Sequence, residues 1–256
     1  MRTFSACVEW LFADEAEELP DRIRLAARAG FKAFEFWHWM SKDITKIEAA
    51  MRETGVRLAG FVAEPMIALT DPANHPAFLE GLRRSSDLAQ RLGAAVLIAQ
   101  AGDDRKGVSR AVQRSALTNC LIAASDVLRG SGVTLGLEPL NTRIDHAGYF
   151  LGSTAEALDI VDEVGSPNVK IVYDVYHSAV MDERTEVVLA GRVDRVAHLH
   201  IADHPGRSNP GSGTVDLKER LNWIFANGYT GRVGLEYKPN GGSSAHIADV
   251  FAELSE

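Results

Sequence analysis

The sequence predicts an α/β chain folded as a single closed (β/α)8 barrel, the TIM barrel. Three observations carry this expectation. The chain has 256 residues, close to the roughly 250 of one such barrel. Short apolar runs alternate with longer amphipathic runs eight times along it, which implies a parallel sheet covered by helices. An open dinucleotide-binding sheet would carry G-x-G-x-x-G after its first strand, and this sequence has none there. No low-complexity linker interrupts the pattern, so residues 1–256 are read as one domain.

The units follow in order. The first strand is predicted over Phe4 to Val8 and the first helix over Leu19 to Ala29, closed by Gly30. A strand over Ala33 to Trp37 precedes a helix over Ile44 to Glu53, closed by Gly55. The third pair is Arg57 to Ala63 and Pro76 to Leu92, with apolar residues at helical spacing and Gly93 at the end. Ala95 to Ala99 leads into a helix over Val108 to Leu128, closed by Gly130. Val133 to Glu138 is followed by a helix over Thr154 to Val164 behind Ser153, a good N-cap. Val169 to Asp174 pairs with Glu183 to Ala190, Val196 to Ile201 with Leu217 to Asn227, and Val233 to Glu236 with Ala245 to Leu254. The strand runs are short and apolar throughout, as expected of strands buried on both faces.

Composition narrows the function classes. Hydrophobic residues make up 46% and charged residues 24%, an ordinary globular balance. The net charge of −8 repels phosphate backbones, so no nucleic acid partner is expected. No apolar run approaches the roughly 20 residues that cross a bilayer, so no membrane partner is expected either. Cys7 and Cys120 are the only cysteines and form no CxxC pair, which points to a reducing cytoplasm. The first ten residues lack the long apolar core of a signal peptide.

Four consecutive strands end on a metal-ligating residue. Gly-Val-Thr-Leu-Gly-Leu-Glu ends on Glu138, Asn-Val-Lys-Ile-Val-Tyr-Asp on Asp174, Val-Ala-His-Leu-His on His200, and Arg-Val-Gly-Leu-Glu on Glu236. The C-terminal strand ends form the active face of such a barrel, so the four side chains should converge from adjacent staves. A lone acid at a strand end is usually a cap or a turn former, but four in succession are not explained that way. Three carboxylates and an imidazole repel one another unless a cation joins them, and this oxygen-rich set suits Mg²⁺, Mn²⁺ or Co²⁺. Such an ion polarises the adjacent oxygens of a small α-hydroxy carbonyl compound. Two carboxylates can then move a proton through a cis-enediol. Glu138 and Glu236 are the expected acid/base pair, with Asp174 and His200 chiefly ligands.

Loops beyond these strands offer further groups. His177, just past Asp174, is a candidate substrate contact or else a surface loop histidine. Arg207 has a planar fork suited to a carboxylate or to oxygens near the ion, against the plainer reading of a surface ion pair. Asn141 and Arg143 follow Glu138, and Asn141 is either a substrate contact or a holder of its own loop. In the N-terminal half, Glu35-Phe-Trp-His-Trp39 places aromatics where they either wall a pocket or pack barrel against helix. Glu64 and Gln100 are weak pocket candidates, His75 reads as a loop or helix start, and Cys7 as core.

The segments Leu-Glu-Pro-Leu-Asn-Thr-Arg, Tyr-Asp-Val-Tyr-His, His-Leu-His-Ile-Ala-Asp-His-Pro-Gly-Arg and Gly-Leu-Glu-Tyr-Lys-Pro resemble the hydroxypyruvate isomerase family of xylose-isomerase-like TIM barrels. The resemblance spans the chain and is strongest from about residue 133 onward. It implies a divalent metal held by Glu138, Asp174, His200 and Glu236, with Glu138 and Glu236 as acid and base and with His177 and Arg207 lining the substrate. It implies interconversion of hydroxypyruvate and 2-hydroxy-3-oxopropanoate, or of a 2-oxo-tetronate, and by analogy a homo-oligomer. The chain departs from that family in three places: His200 stands where relatives often carry Gln, Ser208-Asn209 where many carry His-Glu, and Gly213-Thr214-Val215 where Gly-Glu-Ile is common. A ketose 3-epimerase would use the same site. A metal-dependent hydrolase and a non-catalytic sugar-binding barrel are the readings from other classes.

Overall fold

Eight parallel strands close on themselves in sequence order: β1 (Phe4–Cys7), β2 (Ala33–Phe36), β3 (Arg57–Val62), β4 (Val96–Ala99), β5 (Thr134–Leu137), β6 (Val169–Asp174), β7 (Val196–Ile201) and β8 (Val233–Leu235). The structure, a computed structural model, describes residues 2–255. The helices are α1 (Leu19–Arg28), α2 (Ile44–Thr54), α3 (His75–Leu92), α4 (Arg110–Val127), α5 (Thr154–Val164), α6 (Val175–Val180), α7 (Thr185–Val188), α8 (Leu217–Ala226) and α9 (Ser243–Leu254). The closed barrel agrees with the sequence expectation. Two local differences stand out. The run Glu183 to Ala190 forms only the short α7, and a short helix, α6, begins directly after Asp174.

Local chemistry explains several boundaries. Asp43, Ser109, Ser153 and Asp216 each accept a hydrogen bond from a backbone N–H in the first turn of α2, α4, α5 and α8, satisfying donors that a helix start leaves open. Gly55, Gly93 and Gly165 end α2, α3 and α5 in the left-handed conformation, where glycine carries no Cβ penalty. Cationic side chains on the helices are tied to acids: Arg24 meets Asp21 and Glu53, Arg91 meets Glu48, and Arg114 meets Glu163. Such exposed pairs contribute little stability.

The main core lies between barrel and helices. Phe34, Phe36 and Phe61 stack in series, with ring centroids 6.3 and 5.4 Å apart, and Phe4 and Phe31 close on Phe251 of α9. Burying each such ring contributes roughly 1.5–3 kcal/mol. Inside the barrel the filling is divided. Val62, Ile98 and Val172 form an apolar cluster with Trp37 against it, while Ser5, Glu35, His198 and His200 form a buried polar group.

Both cysteines are buried free thiols. Burial pushes the Cys120 thiol up to about 12. Cys7 is also raised well above the usual thiol range, by burial and by the nearby carboxylates of Glu236 and Glu35. A thiol reacts through its thiolate. Neither cysteine of the folded protein is therefore expected to react with a disulfide reagent at pH 8, and both should react in denaturant. A fast-titrating thiol under native conditions would contradict this.

Candidate metal centre and substrate pocket

Strand register brings the predicted ligands level. Asp174 pairs with His200 across β6 and β7, and His200 with Gly234 across β7 and β8. Glu138 and Glu236 extend one residue past β5 and β8, each held by its backbone N–H, to Ala99 at 2.9 Å and to Ile201 at 3.2 Å. One ligand atom from each of Glu138, Asp174, His200 and Glu236 lies within 4.8 Å of the others, and all four side chains are buried. Sequence reasoning brought these residues to one point, and the barrel's geometry does the same.

Hydrogen bonds and ion pairs orient the candidate ligands. The Oδ1 of Asp174 caps α6, accepting from the N–H of Tyr176 at 2.7 Å and of His177 at 3.3 Å. Its Oδ2 is left to face Arg207, 3.1 Å away. Capping thus occupies one oxygen of the carboxylate and leaves the other turned toward the centre. Glu236 accepts from Trp37 Nε1 at 2.7 Å through Oε1 and from Arg207 through Oε2. His200 Nδ1 lies 3.2 Å from Glu138 Oε1 and 3.4 Å from Glu236 Oε2.

Charge in the centre is unbalanced. Burial raises the Glu138 carboxyl above its usual range; His200 pulls it down in part, and Glu236 and Asp174 push it further up. Burial works against the cations, yet Glu236 and Glu35 hold His200 well above the usual imidazole value, and Glu236 and Asp174 raise Arg207. Three carboxylates thus share one guanidinium and one imidazole in a buried space, and burying charge in this way is costly without compensation. An oxygen-rich donor set of this kind fits a hard divalent ion.

The cavity above the ligands has a volume of about 680 Å³, and its walls include Trp10, Trp37, Val62, Ile98, Glu138 and Glu236. His177 and Arg207 also line it. His177 is not a surface loop residue: it is 2% exposed. Its Nδ1 accepts from the Asn141 backbone N–H at 3.2 Å and faces the Asn141 amide nitrogen at 2.7 Å. Two donors on Nδ1 place the ring proton on Nε2. That Nε2 is buried with no hydrogen-bond partner among the described residues, although Asp174 Oδ2 is 3.5 Å away. Burial and the Arg207 charge lower the His177 pKa well below the usual range, so the ring is neutral. Arg207 sits with its guanidinium carbon 4.9 Å from the Trp10 ring and 5.3 Å from the Tyr176 ring.

Other predicted residues divide by role. Asn141 is buried, but it does not line the cavity. Its oxygen accepts from the N–H groups of Ile144 and Asp145, and its amide nitrogen reaches Asp145 and His177. Arg143 turns outward to Asp182 and the Val180 carbonyl. Gln100 lines the cavity. Glu64 instead holds a loop, accepting from the N–H groups of Trp39 and Met40, and His75 opens α3 with Nε2 2.9 Å from the Leu69 carbonyl. The aromatic run also splits: Trp37 walls the cavity, while Phe36 packs in the core and Trp39 bonds Ser85 of α3.

Sequence reasoning leaves the role of Glu35 open and assigns none to His198 or Trp10. The signals were present. In a strand, residues two apart share a face, so His198 and His200 point the same way. Glu35 lies between Phe34 and Phe36, whose rings pack in the core outside the barrel, so its own side chain must point inward.

Comparison with known proteins adds the family. The xylose isomerase-like TIM barrel model matches residues 23–254. A Mus musculus protein provisionally named hydroxypyruvate isomerase is 32% identical over 250 residues, covering 93% of this chain and 90% of its own length. The 2-oxo-tetronate isomerase of Cupriavidus necator is 29% identical over 256 residues, covering 96% of each. A Brucella melitensis crystal structure titled AP endonuclease, family 2 superposes with a TM-score of 0.91 at 28% identity, covering 98% of each chain. With the barrel, the candidate ligands at its strand ends and the family match over residues 23–254 in agreement, the chain belongs to the xylose isomerase-like TIM barrel family.

Proposed function

We propose that the chain is a divalent-metal-dependent isomerase of a small hydroxy-oxo acid or short sugar, acting through a cis-enediol on hydroxypyruvate or a 2-oxo-tetronate. The observation that carries the reading is the convergence of Glu138, Asp174, His200 and Glu236 within 4.8 Å beneath a cavity that His177 and Arg207 also line. The names of the relatives at about 30% identity support the same substrate class.

These four residues would hold Mg²⁺ or Mn²⁺, with Co²⁺ a further fit. When bound, the ion supplies Lewis-acid polarisation of the adjacent substrate oxygens. The remaining work belongs to side chains. Glu236 takes a proton from the hydroxyl-bearing carbon; the C–H pair forms the carbon–carbon double bond of the enediol while the carbonyl π pair moves onto its oxygen, which takes up the proton that the neighbouring hydroxyl gives up on becoming the new carbonyl. Glu138 returns a proton to the former carbonyl carbon as the other oxygen becomes the new carbonyl, and exchange with water resets the two carboxyls. The unpartnered Nε2–H of His177 donates to a substrate oxygen, and Arg207 offers its fork to a carboxylate or hydroxyl. Trp10 and Trp37 exclude water from the enediol.

The cavity of about 680 Å³ also has room for a ketose, which keeps 3-epimerisation as the second reading. Nucleic acid chemistry is disfavoured. The net charge is −8, and Asp103, Asp104, Glu138 and Glu236 face the cavity, whereas phosphate backbones bind through cations.

The test is a screen of hydroxypyruvate, 2-oxo-tetronates and C4 to C6 ketoses, followed by product NMR in D₂O. Protein stripped by a chelator is expected to lose turnover and to regain it with Mn²⁺ or Mg²⁺. Conversion of a ketose to its C3 epimer with no aldose formed would replace isomerisation by epimerisation. Full turnover in the stripped protein would overturn the metal-dependent reading.

A further inference from the structure

The geometry points to Glu35 as a positioning residue that, with Ser5 and His198, aims the His200 ring at the metal position. This inference rests on the ligand role proposed for His200. His200 is engaged at both ring nitrogens. Its Nδ1 faces Glu138 and Glu236 in the centre. Its Nε2 points the other way, 3.0 Å from Glu35 Oε2. The same Oε2 takes His198 Nε2 at 3.0 Å, and Oε1 accepts from Ser5 Oγ at 3.1 Å. Every member of this group is buried.

A carboxylate behind a ligating imidazole fixes the ring in two ways. It holds the proton on the far nitrogen, so the near nitrogen presents its lone pair to the ion. It also stops the ring from rotating about its bond to the chain. The barrel leaves space for the arrangement. A Cβ placed on Gly234 would lie 2.2 Å from Glu35 Oε1, 2.6 Å from His200 Cδ2 and 2.9 Å from His198 Nε2. No side chain fits there without displacing the group. The two histidine rings stand edge to face, centroids 5.0 Å apart, so His198 packs against the His200 ring as well as sharing its carboxylate.

Glu35, His198 and His200 also offer three ligand atoms within 4.8 Å of one another, the spacing of a possible second ion site. The positioning role is favoured because these atoms already serve one another as donors and acceptor. One ion per chain is therefore expected.

The experiment is calorimetric titration of Mn²⁺ into the chelator-stripped full chain, in wild type and in Glu35→Ala, each with and without His200→Gln. Removing such a partner typically weakens metal binding about 10–100-fold, and that loss is expected for Glu35→Ala on the His200 background. With His200→Gln, which offers an oxygen but no second ring nitrogen, adding Glu35→Ala should change affinity by less than about twofold, the signature of coupling through one side chain. Glu35→Gln keeps the size and an acceptor for both rings. It should lose less than Glu35→Ala, and it carries the test if Glu35→Ala does not fold, with a several-fold weakening confined to the His200 background. Wild-type affinity in both variants, an equal loss on both backgrounds, or two ions per chain would overturn the inference. A wild-type protein that binds no Mn²⁺ would remove the proposed function itself, and the positioning role with it.

Discussion

Glu236→Gln is expected to lower turnover by about 10²–10⁴-fold, the usual contribution of a positioned acid or base, in a protein that still folds. The amide is nearly the size of the carboxylate but cannot take a proton from carbon. It also cannot accept on both sides. Glu236 receives Trp37 Nε1 on one oxygen and Arg207 on the other, and glutamine has one oxygen for two donors. A buried donor left without an acceptor costs about 1–3 kcal/mol, so some fall in melting temperature should accompany the loss. Trp37→Phe separates the two effects. It removes one donor from Glu236 and leaves the carboxylate, so turnover should fall by less than that of Glu236→Gln. Stopped-assay turnover and thermal melts on both variants provide the comparison. More than a tenth of wild-type turnover in Glu236→Gln would remove Glu236 as the proton-transferring group.

The sequence displays Glu236 and its three companions plainly because each ends an apolar run, and the ends of parallel strands share one face. The barrel is legible for the same reason, in the recurrence of short buried strands. Contacts made across the barrel are harder to read. Glu35 meets His198 and His200 at separations of 163 and 165 residues, and no local pattern fixes which strand faces which. α6 was missed because its six residues are too few to show a helical period; its start is set by the Asp174 side chain, not by the pattern of its own residues. The sequence therefore leaves His177 open between surface and site. The bonding of Asn141 depends on the turn it stabilises, which becomes visible only when its loop is built against α6.

Asp203→Ala is expected to destabilise the fold by about 3 kcal/mol and to lower turnover although Asp203 touches no ligand of the centre. Asp203 is fully buried. Its Oδ1 accepts from the N–H groups of His204 at 2.8 Å and Val215 at 3.0 Å, and its Oδ2 from Gly213 at 2.8 Å. Alanine would leave three backbone donors without their acceptor, and at about 1 kcal/mol or more each the sum reaches the stated loss. The consequence for the site comes through the chain. The backbones of Asp203 and Ser208 exchange hydrogen bonds at 2.9 and 3.0 Å, and the turn between them carries Arg207. Arg207 adopts a positive φ of 52°, a conformation a side-chain-bearing residue holds only when its surroundings impose it. Releasing the loop allows Arg207 to relax away from Asp174 and Glu236. Turnover should therefore fall while Mn²⁺ still binds through the four ligands, in contrast to Glu35→Ala, where metal affinity falls first. Asp203→Asn keeps two acceptor lone pairs on one oxygen and should lie between alanine and wild type in both melting temperature and turnover. A stable Asp203→Ala protein with wild-type turnover would show that the loop holds Arg207 without this carboxylate.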